Sequence, residues 1–163
     1  MELAVLLDGL RVQGWMVVPG STISVPAPVR KRQPKLPKAY EQFIGSVDDC
    51  VNDDETAWFL TAKHFEGRSE FVFAWNEWEK QSLEGAGDDA EWAAEITAFW
   101  ARHLPIFISV KNGYSYFALD ETGNVVFGQE PEYEETSVVA NSFEEFLTKI
   151  SRDEVGEFPE IVW

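Results

Sequence analysis

Four β-strand patterns separated by short turns occupy residues 105–140 and constrain the fold more than any other feature of the sequence. The runs PIFISV, YSYFAL, NVVF and SVVA are rich in the β-branched and aromatic residues that are enriched in strands. Asn112-Gly113 separates the first two runs, and this dipeptide is a strong hairpin signal. The DETGN segment at 120–124 predicts a slightly longer turn, because Gly123 can adopt positive φ. Connections this short join antiparallel neighbours, so the segment predicts a meander.

Helical patterns flank these strands. Ser142 and Glu145 form a capping box, which predicts the start of the last helix. Two more strands are predicted at 57–65 and 70–75, whereas the acidic run DDCVNDDE at 48–55 interrupts the pattern. We therefore predict an α+β domain with a mostly antiparallel sheet of about five to six strands flanked by helices. Apolar residues recur at helical spacing in four groups: Leu3, Leu6, Leu7 and Leu10; Tyr40, Phe43, Ile44 and Val47; Trp92, Ile96, Phe99 and Trp100; Phe143, Phe146, Leu147 and Ile150.

The chain is expected to have three parts. Residues 1–25 predict a helix and a hairpin, with strands WMVV and TISV on either side of Pro19-Gly20, packed on the same domain as the rest. Residues 26–37 form a Pro-rich basic stretch, which predicts an extended connector. Residues 38–163 form the main α+β domain. Trp92 and Trp100 are expected in its core, whereas Trp78 and Trp163 are expected to be exposed.

Charge is distributed unevenly along the chain. The 29 acids and 13 bases give a net charge of −16; residues 1–40 carry +4 and residues 41–163 carry −20. Such a field disfavours nucleic acid, whose phosphates need Lys and Arg, and it disfavours an anionic membrane surface. It favours a basic protein partner, although solubility alone is an alternative explanation. We expect a monomer or a weak dimer.

The sequence gives no signal of secretion or membrane insertion. Cys50 is the only cysteine, so an internal disulfide is impossible, which suits a reducing compartment. The N-terminus lacks the pattern of a signal peptide, and no apolar run approaches the ~20 residues that span a bilayer. We expect a cytoplasmic protein.

Catalytic and metal-binding patterns are weak. Glu77 and Glu79 flank Trp78, and in a strand they would share one face, which makes a glycoside-type hydrolase a remote alternative. His64 and His103 are far apart in sequence, and no Cys stands near either at zinc-ligand spacing. Asp49, Val51 and Asp53 break the alternation of a calcium loop, and no glycine-rich phosphate motif is present. We expect no catalytic residue, no metal and no cofactor.

The segment FALDETGNVVFGQEPEYEET at 117–136 holds six carboxylates and no Lys, Arg, His or Cys. Pro131 cannot donate to a sheet ladder, so residues 129–136 are expected to form a surface loop. One interpretation is a solvated loop. The other is a contact surface for a basic partner, with Tyr133 as a rigid apolar anchor. The candidate partner-binding residues are Asp120, Glu121, Glu130, Glu132, Tyr133, Glu134, Glu135 and Trp78.

Three segments together resemble the SUKH superfamily, over roughly residues 36–150. They are LPKAYEQFI at 36–44, HLPIFISVKNGYSYFALDETGNVVF at 103–127 and SFEEFLTKI at 142–150. The superfamily includes bacterial immunity proteins of toxin systems and fungal cell-wall assembly regulators. The resemblance implies an immunity-like role, in which the chain blocks a toxin, often a basic nuclease, by occlusion. The alternative is an intracellular scaffold or regulator that binds an endogenous protein or glycan.

Overall fold

The computed structural model describes residues 2–22 and 24–152, and within them seven strands form one antiparallel sheet in chain order. The strands are β1 (Met16–Pro19), β2 (Val47–Val51), β3 (Ala57–Phe59), β4 (Leu104–Ser109), β5 (Ser115–Leu119), β6 (Val125–Gln129) and β7 (Ser137–Ala140). The helices are α1 (Leu3–Val12), α2 (Ala27–Arg32), α3 (Lys38–Ser46), α4 (Ala62–Phe65), α5 (Glu77–Ala86), α6 (Ala90–Ala101) and α7 (Phe143–Ser151). The predicted α+β class is confirmed, with seven strands instead of five to six. Trp163 lies outside the described residues.

The turns that shape the central meander follow the sequence signals. Asn112 and Gly113 have φ of 59° and 102°, as the tight hairpin between β4 and β5 requires. In the next turn Gly123 has φ of 87°, and the Asp120 carboxylate accepts a hydrogen bond from the Thr122 amide at 2.9 Å. Both turns are therefore fixed by local chemistry, which explains why the meander is readable from the sequence.

One face of the sheet carries the main aromatic core beneath α1, α3 and α7. Phe59, Phe107 and Phe117 form a row across β3, β4 and β5, with ring centroids 5.0 and 5.2 Å apart. Phe43 of α3 lies 5.2 Å from Phe59, and Phe146 of α7 lies 4.7 Å from Phe117. These rings are fully buried, and burial of each contributes roughly 1.5–3 kcal/mol relative to exposure. This cluster holds the helices against the sheet.

The N-terminal helix packs directly on the C-terminal one. Gly9 makes the close approach possible, because a Cβ there would lie 2.8 Å from the carbonyl oxygen of Ser151. The Gln13 side chain donates hydrogen bonds to the carbonyls of Ile150 and Ser151, at 3.1 and 2.6 Å. Residues 3–13 therefore belong to the same packed body as α7.

The other face of the sheet is covered by the segment 66–76, α5 and α6. Phe71 stacks on Trp58 of β3, with centroids 4.1 Å apart and planes 3° apart, and Phe73 packs 5.6 Å from Trp78. The prediction of a strand at 70–75 is wrong. Its alternating aromatic residues do face the sheet, but the segment lies over central strands: β3 and β4 are each already paired on both sides, so it cannot pair with either of them.

Two other local predictions also fail. The predicted strand at 57–65 ends at Phe59, because the Nδ1 of His64 accepts the Thr61 amide at 3.0 Å and starts the short helix α4. The acidic run at 48–55 begins inside β2, which pairs with β1, aligning Val17 with Cys50. The partner of β1 is therefore β2 and not the predicted strand TISV. The described residues of TISV, 22, 24 and 25, lie outside any strand.

The stretch 26–37 is not the extended connector that was predicted, since it contains α2. Pro26 is the N-cap and Pro28 lies in the first turn, where a helix tolerates the missing amide hydrogen. Arg32 at the end of α2 donates to the carbonyl oxygen of Trp100 at 2.7 Å and forms an ion pair of 2.6 Å with Glu79. The division into 1–25, 26–37 and 38–163 stays a prediction. No helix within the described residues is long and apolar enough to cross a bilayer.

Candidate acidic binding groove

The loop between β6 and β7, residues 130–136, which we call the acidic loop, is anchored by Tyr133. Its ring lies parallel to Trp78, with centroids 5.6 Å apart, and its hydroxyl donates to Gln81 at 3.1 Å. The Tyr116 hydroxyl donates to the Tyr133 carbonyl. Burial, followed by the negative charge of Glu130, raises the pKa of Tyr133, so its hydroxyl remains a neutral donor. Tyr133 is only 4% exposed, so its ring holds the loop against α5 and leaves little surface for a partner.

Glu134 is a second anchor of this acidic loop. Its Oε2 accepts hydrogen bonds from the Ser82 hydroxyl at 2.7 Å and from the Trp100 indole nitrogen at 2.9 Å. These contacts join the loop to α5 and α6. The carboxylate therefore has a structural role that the sequence did not reveal, in addition to its charge.

The other three acids of the loop point into solvent. Glu130, Glu132 and Glu135 are exposed, and none forms an ion pair with a basic residue in the described part of the chain. The Glu130 carboxylate lies beside Gly113, where a Cβ would come within 3.1 Å of its Oε1. These three positions agree with the prediction of an exposed acidic surface.

The acidic loop and the α5–α6 helix pair enclose a groove of about 510 Å³, which we call the acidic groove. Trp92 in the first turn of α6 lies in it and is 48% exposed, so its predicted place in the core is wrong. The helical spacing did identify the correct face, since Ile96 and Trp100 are buried, but at Trp92 this face borders the open groove. The lining residues are Gln81, Ser82, Gly85, Trp92, Glu130, Pro131, Tyr133 and Glu134.

The remaining predicted contact residues lie elsewhere. Trp78 is 2% exposed and donates to the Ser115 carbonyl at 3.1 Å, so the expectation of an exposed Trp78 is wrong. It is covered because residue 78 lies in a helix facing the sheet and not in a strand. The Asp120 carboxylate accepts hydrogen bonds within its own turn, and Glu121 beside it is exposed. Neither Asp120 nor Glu121 lines the acidic groove.

The possible carboxylate pair of a hydrolase does not converge. Glu77 and Glu79 lie in α5, where residues two apart point to roughly opposite sides of the helix, since each residue turns it by about 100°. Glu77 accepts the Ala74 amide at 3.0 Å, whereas Glu79 is ion-paired with Arg32 at 2.6 Å. The expectation of a shared strand face is therefore wrong.

Among the other reactive side chains, Cys50 and His64 are buried and His103 is half-buried, which favours their neutral forms. Burial raises the pKa of the Cys50 thiol. Burial, followed by the charge of Lys63, lowers the pKa of His64 to about 4, and burial also lowers the pKa of His103. The cationic form of His103 is therefore disfavoured. Among residues 2–22 and 24–152, no three His, Cys, Asp or Glu side chains are grouped to hold a metal ion.

Two stretches of sequence that border the acidic groove lack basic residues altogether. Residues 81–101, which span most of α5 and α6, contain five acids and no Lys, Arg or His. Residues 112–148, which include the acidic loop, contain eight acids and again no base. The groove is thus an acidic, aromatic-bearing recess with no basic residue in its described lining. Such a surface is suited to attract a basic macromolecule.

Comparison with known proteins identifies the family. A family model described as the SMI1 / KNR4 family (SUKH-1) matches residues 30–149. No curated protein and no solved structure matches significantly. The match spans most of the chain, from the end of α2 through the meander to α7, and so includes the acidic loop and both helices of the groove. The chain belongs to the SMI1/KNR4 family of the SUKH superfamily.

Proposed function

We propose that this chain is an immunity-type protein, which binds a basic toxin domain through the acidic groove and neutralises it by occlusion, without catalysis. One observation carries the proposal. Glu130, Glu132 and Glu135 are held in the solvent without ion-pair partners in the described chain, beside a groove lined by no basic residue. Unpaired charge of one sign at a recess supports fast association with a partner of the opposite charge.

The anchoring of the loop supports the same function. Tyr133 and Glu134 fix the middle of the loop to α5 and α6 through hydrogen bonds of 3.1, 2.7 and 2.9 Å. A surface that is already ordered loses less conformational entropy when a partner binds, so more of the contact energy contributes to affinity.

The test begins with the product of a gene adjacent to this one. We expect that protein to be toxic when expressed alone and harmless when this chain is co-expressed. Association of the two purified proteins is then measured for E130Q/E132Q/E135Q. We expect association to slow about tenfold at low salt, with a smaller change in dissociation. Raising the salt from about 0.05 to about 0.5 M should slow the wild type similarly, because exposed charges are screened.

A matched control separates the effect of charges at the groove from the effect of the protein's overall negative charge. The variant E2Q/D53N/E70Q changes the net charge from −16 to −13, as the first variant does, but at exposed acids outside the groove. Equal slowing in both variants would assign attraction to the overall charge and would contradict binding at the groove. Association that is insensitive to charge and salt would leave only solubility. If this chain neutralises no neighbouring toxin and one endogenous protein co-purifies with it, a scaffold or regulator would be favoured.

A further inference from the structure

We infer that the acidic groove receives an arginine side chain of the partner, with its guanidinium stacked on Trp92 and ion-paired with Glu130 and Glu134. This inference rests on the proposed function, since the arginine belongs to the basic protein that the acidic surface attracts. The inference adds that the groove binds arginine in preference to lysine.

Trp92 differs from every other tryptophan that the structure describes. Those five each pack against another aromatic ring, and Trp75 also carries Arg32 on its face. Within the described chain, Trp92 has no aromatic partner, and its indole nitrogen has no hydrogen-bond acceptor. Its exposed face lines the groove. An exposed indole face beside carboxylates is a site suited to a cation.

In the part of the chain that the structure describes, no basic side chain is paired with either carboxylate of the groove. Glu134 uses Oε2 for two neutral donors, the Ser82 hydroxyl and the Trp100 indole, which leaves Oε1 able to accept. The Glu130 side chain has no ion pair within the described residues, and no Lys or Arg lines the groove. Charge complementarity therefore selects a positively charged group, and the volume of about 510 Å³ accommodates a long side chain.

The same helix pair already holds one arginine in this manner. The Arg32 guanidinium carbon lies 4.8 Å from the ring centroid of Trp75, and Arg32 is ion-paired with Glu79 of α5 at 2.6 Å. It also donates to the Trp100 carbonyl of α6 at 2.7 Å. A planar guanidinium can stack and form two parallel hydrogen bonds at once, which an ammonium group cannot. The groove brings together the same kinds of group, the indole of Trp92 and the carboxylates of Glu130 and Glu134, and such a set favours arginine.

The test uses two blocked tripeptides, acetyl-Gly-Arg-Gly-amide and acetyl-Gly-Lys-Gly-amide, titrated into the full chain. The indole N–H resonance of Trp92 is assigned with the Trp92→Phe variant and followed by NMR. We expect the arginine peptide to shift this resonance and to bind at least about threefold more tightly than the lysine peptide, as an exposed cation–π contact predicts. Trp92→Ala and Glu130→Gln should each weaken arginine binding about threefold or more, whereas Trp92→Phe should retain part of it.

Two control variants match these changes outside the groove. Val72→Ala removes an apolar side chain that is 89% exposed, and Asp53→Asn removes an exposed acid. Neither should alter arginine binding. Equal binding of both peptides, or a Trp92 resonance that does not move, would overturn the arginine pocket. The proposed function has its own separate test, since it fails if E130Q/E132Q/E135Q associates with the partner as fast as wild type.

Discussion

Replacing Gly128 with Ala tests whether the packing of Tyr116 holds the acidic loop in place. Gly128 of β6 lies opposite Tyr116 of β5, and a Cβ at residue 128 would come within 2.6 Å of the Cε1, Cζ and Oη atoms of this ring. The ring is fully buried, and its hydroxyl donates to the Tyr133 carbonyl in the loop. Alanine therefore forces the ring to move or the strands to separate, and either change disturbs the bond to Tyr133.

Three contributions set the expected size of the effect. Overpacking of a core costs about 1–3 kcal/mol, and an unsatisfied buried carbonyl costs a further ~1–3 kcal/mol. Replacing glycine with alanine returns about 0.4–1 kcal/mol by restricting the unfolded chain. We expect a net loss of about 3 kcal/mol. In a domain of this size each kcal/mol changes Tm by about 2–4 °C, so Tm should fall by about 6–12 °C.

Urea and thermal unfolding followed by circular dichroism measure this loss. Gly85→Ala is the matched control: Gly85 lies in α5 with nothing within 4 Å of its added Cβ, and alanine there should stabilise the protein by about 0.5–1 kcal/mol. In a Tyr116→Leu background the clash is removed, and Gly128→Ala should cost at least about 1 kcal/mol less than in the wild type. An equal cost in both backgrounds, or a Gly128→Ala protein as stable as wild type, would refute the reasoning.

Three further predictions concern other contacts. Burial lowers the pKa of His64 from its ordinary value of 6.5 to about 4, so the unfolded chain binds the proton more readily. Stability should therefore fall as the pH drops from about 6.5 towards 4, with a loss of about 2 kcal/mol by pH 5; urea unfolding should show a smaller loss in His64→Asn. Arg32→Lys should destabilise the protein by about 1–3 kcal/mol, because an ammonium group cannot both stack on Trp75 and donate in two directions as the guanidinium does. The control Lys35→Arg, at an exposed position, should leave the unfolding midpoint unchanged. Glu134→Ala should destabilise the protein by about 1–3 kcal/mol, whereas Glu134→Gln should cost less than about 1 kcal/mol, because its amide oxygen can still accept from Ser82 and Trp100. Equal losses in urea unfolding would show that the charge, and not the hydrogen bonds, matters for stability.

The parts of the fold that the sequence predicts are those whose signals are local. Asn112 and Gly113 readily adopt the positive φ that a tight hairpin needs, and Ser142 caps α7 by accepting the Glu145 amide at 3.0 Å. These signals were sufficient for the α+β class, the meander and the family resemblance. An alternating pattern is weaker evidence, since it reports only that one side of a segment is buried. Residues 70–75 partly bury alternate aromatic side chains without forming a strand, because they lie over β3, which is already paired on both sides.

The candidate site divides in the same way. The sequence alone determined that the protein is strongly acidic and that residues 130–135 lie in a loop, because the charges and Pro131 are present in any conformation. Only the tertiary structure decided which side chains in and around this loop are exposed. Tyr133 and Glu134 are bonded to α5 and α6, Trp78 is buried beneath them, and Trp92 is left exposed. Burial depends on which elements meet in space, and a helical or alternating pattern identifies the buried side of a segment without identifying what covers it.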